Sequence, residues 1–261
     1  MTWDPAQYRR FSAERRQPFD DLLSLCRPVP GGTVVDLGCG SGELTAELHR
    51  RLGAAETVGV DRSPAMLAEA PTAVEGLRFV EGDLAAFDGP AVDVVFANAS
   101  LHWVGDHPSL LAGLAGMLRP GGQLAFQVPA NFDHPSHLLA RRVAVEPPFA
   151  ELLGASPPPD RGHHVLAPAA YAELLYRLGG RPPVCRLEVY AHELASTAEV
   201  VEWVRGTLLT PYRQLLGEDD YAHFVDTYRR RLLDELGDRS PYFYGFARIL
   251  CWATFGAPVG S

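Results

Sequence analysis

Three glycines at alternate positions, Gly38, Gly40 and Gly42, follow an apolar run at residues 33–37 and precede a helical pattern. Glycine lets the backbone turn sharply and leaves no Cβ between main chain and ligand. The helix start behind the loop offers unpaired N–H groups. Asp36 stands two residues before the first glycine, and Cys39 lies inside the loop. Asp61 closes the next apolar run, where a carboxylate can accept both hydroxyls of a ribose, and Arg62 follows it. Asp83 and Leu84 follow the third run, and Asn98, Ala99, His102 and Trp103 follow the fourth. The GxGxG spacing is one residue shorter than the dinucleotide fingerprint GxGxxG. These residues therefore predict a ribose-bearing ligand other than NAD.

Competing chemistries are weaker. His134 and His137 flank Pro135, and His163 adjoins His164, but neither pair has an evident third ligand, so no metal is expected. Cys39 has no placed base and is not read as a nucleophile. All 23 basic residues are arginines, which excludes a Schiff-base lysine, a Walker lysine and a lysine general base. Arg229, Arg230 and Arg231 sit among Asp226, Asp234 and Glu235 and read as a solvated helix face.

The elements that must carry these residues alternate through the first half. Short apolar runs at 33–37, 57–60, 77–80, 92–97 and 123–128 predict strands. Helices are predicted at 43–52, from Pro64 (capped by Ser63) to about residue 70, and at 108–118, the last broken by residues 119–122. Such alternation is the signature of an α/β fold with a mostly parallel sheet and helices on both faces. Five glycine-loop and acid positions then meet at the carboxyl edge of the sheet, where open α/β folds bind ligands.

The second half predicts helices at 136–145 and 168–178, a proline-rich loop at 147–159, and strands at 186–190 and 244–255. Ser196 with Glu199 fits a capping box opening a helix to about Arg205, and a longer helix covers 218–236. One domain, 1–261, is expected: an N-terminal helical segment (1–30), a cofactor-binding core (31–130), and a helical cap (191–241) inserted between the last strands.

The chain has 261 residues, 47% of them apolar, and a net charge of −9. That composition suits a folded soluble domain. No apolar run reaches the roughly 18 residues of a membrane span. The acidic balance disfavours a nucleic-acid surface. Cys26, Cys39, Cys185 and Cys251 are scattered without a CxxC pair, and residues 1–16 are charged, so a cytoplasmic protein without a signal peptide is expected. Oligomeric state is left open.

The loop with its preceding acid resembles motif I of class I S-adenosylmethionine-dependent methyltransferases. That resemblance implies their Rossmann-like fold, S-adenosylmethionine as cofactor, an adenine contact at Asp83, and a methionine-end contact at Asn98 and Ala99. The Asn/Asp-Pro-Pro-aromatic motif of amino-directed nucleic-acid enzymes is missing after the fourth strand. More closely, the chain resembles trans-aconitate methyltransferases. The matching stretches are Trp3 to Tyr8 with Phe11 and Glu14–Arg15, the glycine loop, Gly59 to Leu67, Phe96 to Trp103, Leu118 to Gly122, Pro135 to His137, and Val201 to Thr207. The resemblance implies O-methylation of a small polycarboxylic acid. A carboxylate is ionised at neutral pH, so no general base is needed. Arginine must then bind the acid, and Arg15 and Arg205 are the candidates, with His102, Trp103, Trp203 and Tyr212 as walls. An acyl-carrier-bound acid, a natural-product oxygen or carbon, and a non-catalytic S-adenosylmethionine-binding protein remain alternatives at this point.

Overall fold

The computed structural model describes residues 12–154, 158 and 161–256, with side chains described from Arg16 onward except that of Arg161. The expected contacts of Trp3 to Tyr8, Phe11 and the Arg15 side chain lie outside the described residues. Helix α1 (Ser12–Leu25) is followed by β1 (Thr33–Leu37), α2 (Glu43–Leu52), β2 (Glu56–Asp61), α3 (Pro64–Leu67), β3 (Leu77–Glu81) and β4 (Val92–Asn98). Then come α4 (His107–Gly116), β5 (Leu118–Pro129), α5 (Pro135–Ala144), α6 (Phe149–Leu153), α7 (Pro168–Arg177) and β6 (Arg181–Leu194). The chain ends through α8 (Glu199–Arg205), α9 (Thr210–Leu215), α10 (Glu218–Leu236) and β7 (Tyr242–Thr254).

The seven strands form one sheet in the order β3-β2-β1-β4-β5-β7-β6. The first five are parallel, β7 runs antiparallel to β5, and β6 antiparallel to β7. This is the Rossmann-like arrangement expected from the alternation. Chain direction across the sheet reverses between β1 and β4, and that switch point opens a crevice at the strands' carboxyl ends.

The strand residues explain the layers. Val34, Leu48, Leu52, Val94, Phe96 and Phe19 pack on one face; Val35, Leu37, Val95, Leu111, Phe126 and Tyr171 pack on the other. A strand buried on both faces reads as a continuous apolar run, as residues 33–37 do. The third core unites α8, α9 and α10 with α5, α6 and the start of β7. Helices before β6 thus complete the layer that the helices between β6 and β7 begin; that insertion spans 195–241, because residues 191–194 continue β6.

Three local expectations change. Residues 147–159 are not all loop, because Phe149 and Leu153 bury one face of the short helix α6. Ser196 makes no side-chain cap: α8 starts after Ala198, and the Glu199 carboxylate instead accepts the Ala195 N–H at 3.1 Å. Residues 119–122 are not what breaks the preceding helix, which ends at Gly116; they lie inside β5 as an irregularity, with Gly121 at φ 84°. None of the described helices is long and apolar enough to cross a membrane.

Candidate active site

Asp61 organises the switch point. Gly38 and Cys39 donate backbone N–H groups to Val60 O at 2.7 and 3.0 Å, tying the glycine loop to the end of β2. Gly40 N–H then donates to Asp61 Oδ2 and Ser63 N–H to Oδ1, both at 2.9 Å. One carboxylate therefore fixes the loop after β1 and the turn into α3. Each oxygen retains a lone pair, and Asp61 lines the cavity. Beyond β3, Asp83 Oδ1 accepts the Ala85 N–H at 2.9 Å, holding its own turn.

The loop after β4 is also pinned. The Ser100 hydroxyl donates to Leu37 O at 2.5 Å, and Ala99 N–H to Gln127 O at 3.0 Å. Ala99 sits at φ 54°, a left-handed conformation that costs a non-glycine residue about 1–2 kcal/mol. Such strain persists where the surroundings over-determine it, often at a ligand site.

Together these loops and the helical layer enclose a cavity of about 470 Å³, within the range of small-molecule sites. Its sheet side includes Gly38, Asp61, Arg62, Asp83, Leu84, Asn98 and Ala99. His102 and Trp103, with ring centroids 5.1 Å apart, lie on the wall between sheet and helices. Trp203 and Tyr212 close it from α8 and α9. Trp203 packs on His192, Tyr244 and Phe246, and Tyr212 stacks on Phe224 at 4.7 Å.

Four residues read as cofactor contacts stand behind this wall. Asp36 is buried and accepts the Thr45 hydroxyl at 2.6 Å through Oδ2; its Oδ1 has no hydrogen-bond partner. Burial pushes its pKa up to about 7, against the Thr45 hydrogen bond and aided by the Asp61 charge. Burial, with the Asp36 and Asp61 charges, also holds the Cys39 thiol well above its ordinary range, the opposite of an activated nucleophile. Gly40 and Gly42 shape the loop without lining the cavity. A Cβ on Gly42 would lie 2.4 Å from the Phe79 ring, so this glycine lets α2 approach the sheet.

Arg205 is misplaced by the sequence reading. It donates to Glu202 Oε1 at 2.7 Å and lines a separate cleft with Glu202 and Tyr221, outside the main cavity. Residues two apart on a helix point about 200° apart, so Trp203 facing inward turns Arg205 outward. The cations that do line the cavity beyond Arg62 are Arg141 of α5 and Arg248 of β7, neither singled out from sequence. Arg248 is 7% exposed, an arginine inside an otherwise apolar strand, and that break in pattern was its signal.

Comparison with known proteins gives the same fold and more. The model of a methyltransferase domain matches residues 34–122. The YcgJ protein of Bacillus subtilis superposes with a TM-score of 0.60 at 13% identity, covering 92% of this chain and 98% of that one. The trans-aconitate 2-methyltransferase of Deinococcus radiodurans is 44% identical over 97% of this chain and 98% of its own length. That of Escherichia fergusonii is 39% identical over 95% and 96%. The chain belongs to the trans-aconitate 2-methyltransferase family.

It is accordingly an S-adenosylmethionine-dependent methyltransferase, and the cavity fits that cofactor. A ribose diol needs an acceptor pair at the end of β2, and the Asp61 carboxylate would offer one. The adenine needs an apolar slot with an acid at its rim; Met66, Val60 and Leu84 lie beside Asp83 on the same wall. Among the described residues no group of three His, Cys, Asp or Glu side chains could hold a metal ion. Asp61→Ala removes the diol acceptor and unties Gly40 from Ser63. Cofactor affinity is expected to fall by about 1–3 kcal/mol, read by calorimetry with S-adenosylhomocysteine. An unchanged affinity would remove Asp61 from the pocket.

Proposed function

We propose that this protein methylates one carboxylate of trans-aconitate, giving a monomethyl ester. The carrying observation is a division of charge. The acids among the described lining residues are Asp61 and Asp83, both at the β2–β3 end, where Arg62 is the one arginine beside them. Arg141 and Arg248 lie at the other end, under the helical layer, with His137 beside them. Ribose hydroxyls and the adenine amino group, all donors, suit the acidic end, and a polyanion suits the guanidinium end. The names of relatives that are 39–44% identical over most of the chain support the same acid.

In this reading Asp61 and Arg62 hold the ribose side, Asp83 and Leu84 the adenine, and Asn98 and Ala99 the methionine end. S-adenosylmethionine, when bound, supplies an electrophilic methyl group on a sulfonium. The protein has no proton to move, because the accepting carboxylate is ionised well below pH 7. Its residues orient the acid for in-line attack, and positioning is worth many powers of ten in rate. His102, Trp103, Trp203 and Tyr212 give that end rigid walls and exclude water. The partner is then a small molecule and not a nucleic acid, which the net charge of −9 supports. A cytoplasmic location belongs to the same reading, supported by four cysteines without a disulfide, although Cys185 and Cys251 face each other on β6 and β7.

The test is a mass spectrum of the product formed from trans-aconitate and S-adenosylmethionine. A monomethyl ester is expected; methylation at carbon, or no methyl transfer to any small carboxylic acid, would overturn the proposal. Arg205→Ala is expected to leave the KM for the acid within about twofold, since the side chain pairs with Glu202 on another, partly buried cleft. A large rise in KM would return Arg205 to the substrate.

A further inference from the structure

A line of hydrogen bonds crosses the sheet edge under the guanidinium end of the cavity. Asn98 and Gln127 are register partners on β4 and β5. Gln127 Nε2 donates to Asn98 Oδ1 at 2.7 Å, and an Arg248 guanidinium nitrogen donates to Gln127 Oε1 at 3.0 Å. Both ends of the Gln127 amide are thus engaged, and Arg248 sets their sense. A guanidinium only donates, so it must meet the amide oxygen of Gln127. The Gln127 nitrogen must then meet the oxygen of Asn98. What remains at Asn98, beside the strained Ala99, is its own amide nitrogen, a donor. The line is polarised, with a donor at each end, and all three residues line the cavity.

Arg248 is held from two further directions. Its guanidinium carbon lies 4.7 Å from the Phe246 ring centroid, and its strand position is fixed by the Pro129–Arg248 register pair on β5 and β7. A guanidinium carries five donors in a fixed planar fork, a geometry that matches carboxylates. Across the cavity, Arg141 on α5 donates to Phe132 O at 3.3 Å, which fixes one of its nitrogens near the start of that helix. Two forks from different layers, α5 and β7, therefore line one cavity.

We propose that Arg248 and Arg141 grip the non-reacting carboxylates of the substrate, and that Gln127 is a positioning residue coupling Arg248 to Asn98 at the transfer end. The proposal rests on the trans-aconitate reading and extends it to the residues that decide how many carboxylates the acid must carry. A tricarboxylate leaves one carboxylate to react while two are held. Acids with fewer carboxylates lose one or both grips and present their reacting oxygen less often in line. Gln127 acts differently: it fixes where the Arg248 fork stands relative to the methyl-transfer end, so its loss should affect the productive fraction more than binding.

The experiment measures kcat and KM for trans-aconitate, fumarate and crotonate, which carry three, two and one carboxylates. S-adenosylhomocysteine affinity by calorimetry and a thermal melt accompany each variant. The wild-type enzyme is expected to prefer the three acids in that order. Arg248→Gln and Arg141→Gln should each raise the KM for trans-aconitate about tenfold or more and narrow its advantage over crotonate, with S-adenosylhomocysteine affinity held within about twofold. Arg248→Lys should recover only part of the loss, because an ammonium cannot reproduce the fork. Gln127→Leu should lower kcat more than it raises KM. If Arg248→Gln does not fold, Arg141→Gln and Arg248→Lys carry the same comparison. Wild-type turnover of trans-aconitate with an unchanged KM in the arginine variants would overturn the grip alone. Failure of the wild-type enzyme to methylate any of the three acids would overturn the substrate reading beneath it.

Discussion

Gly38→Ala is expected to cost about 2–5 kcal/mol of stability and to remove detectable cofactor binding, the larger of the two effects predicted for the loop. Gly38 sits at φ 79°, where an alanine costs about 1–2 kcal/mol. Its added Cβ would also stand 2.3 Å from Ser100 Cβ, far inside contact distance. Relief requires moving Ser100, whose hydroxyl bonds Leu37 O, or moving the glycine loop away from Val60 O. Either shift displaces a wall of the cofactor end, since Gly38, Asn98, Ala99 and Ser100 all line it. Overpacking of this kind adds roughly 1–3 kcal/mol. The control is Gly113→Ala on α4, where a Cβ meets nothing within 4 Å and the helix interior favours alanine by about 1 kcal/mol. Urea melts and S-adenosylhomocysteine calorimetry read both variants. A Gly38→Ala protein as stable as wild type, with cofactor affinity intact, would mean that the loop yields freely and that its geometry is not set by close packing.

How much of this was legible in the chain depends on the distance over which each feature is encoded. The run at 33–37 and the helices at 43–52 and 218–236 have the observed bounds, because apolar spacing, Gly42 and Gly53 are local signals. The cofactor end was legible for the same reason: Asp61, Asp83 and Asn98 each follow a strand in sequence, and parallel strands bring those positions to one edge. The substrate end was not. Arg248 lines the cavity because antiparallel β7 lies against β5 with Pro129 opposite it, a pairing between residues more than a hundred positions apart. Arg141 belongs there because α5 and α10 share a core, with the Tyr228 hydroxyl donating to Ser136 O at 2.9 Å. Arg205 lies on another cleft for a local reason. Its sequence spacing from Trp203 already placed the two on opposite helix faces, so only one of them can meet the cavity.

The last prediction concerns Asp36, which the fold buries one strand away from the cofactor. In the unfolded chain its carboxyl titrates near 4, while burial raises it to about 7 in the folded protein. Between those values the folded state binds the extra proton. Stability therefore falls as pH rises from about 4 to about 7 on account of this group, and its contribution is constant above that range. At 1.36 kcal/mol per unit the full effect is at most about 4 kcal/mol. Asp36→Asn keeps an oxygen to accept the Thr45 hydroxyl but carries no charge at any pH. The second position of the side chain lacks a partner in either form, so any cost of the amide there is independent of pH. Subtracting wild-type from variant stability at each pH isolates the carboxyl from every other titrating group. That difference should move in favour of Asp36→Asn by about 2–3 kcal/mol between pH 5 and pH 8, measured by urea denaturation of the cofactor-free protein. A difference that stays constant over the range would mean that Asp36 is solvated or charge-compensated in the folded state. The carboxyl behind the glycine loop would then be an ordinary ionised acid rather than one held close to neutrality by the sheet.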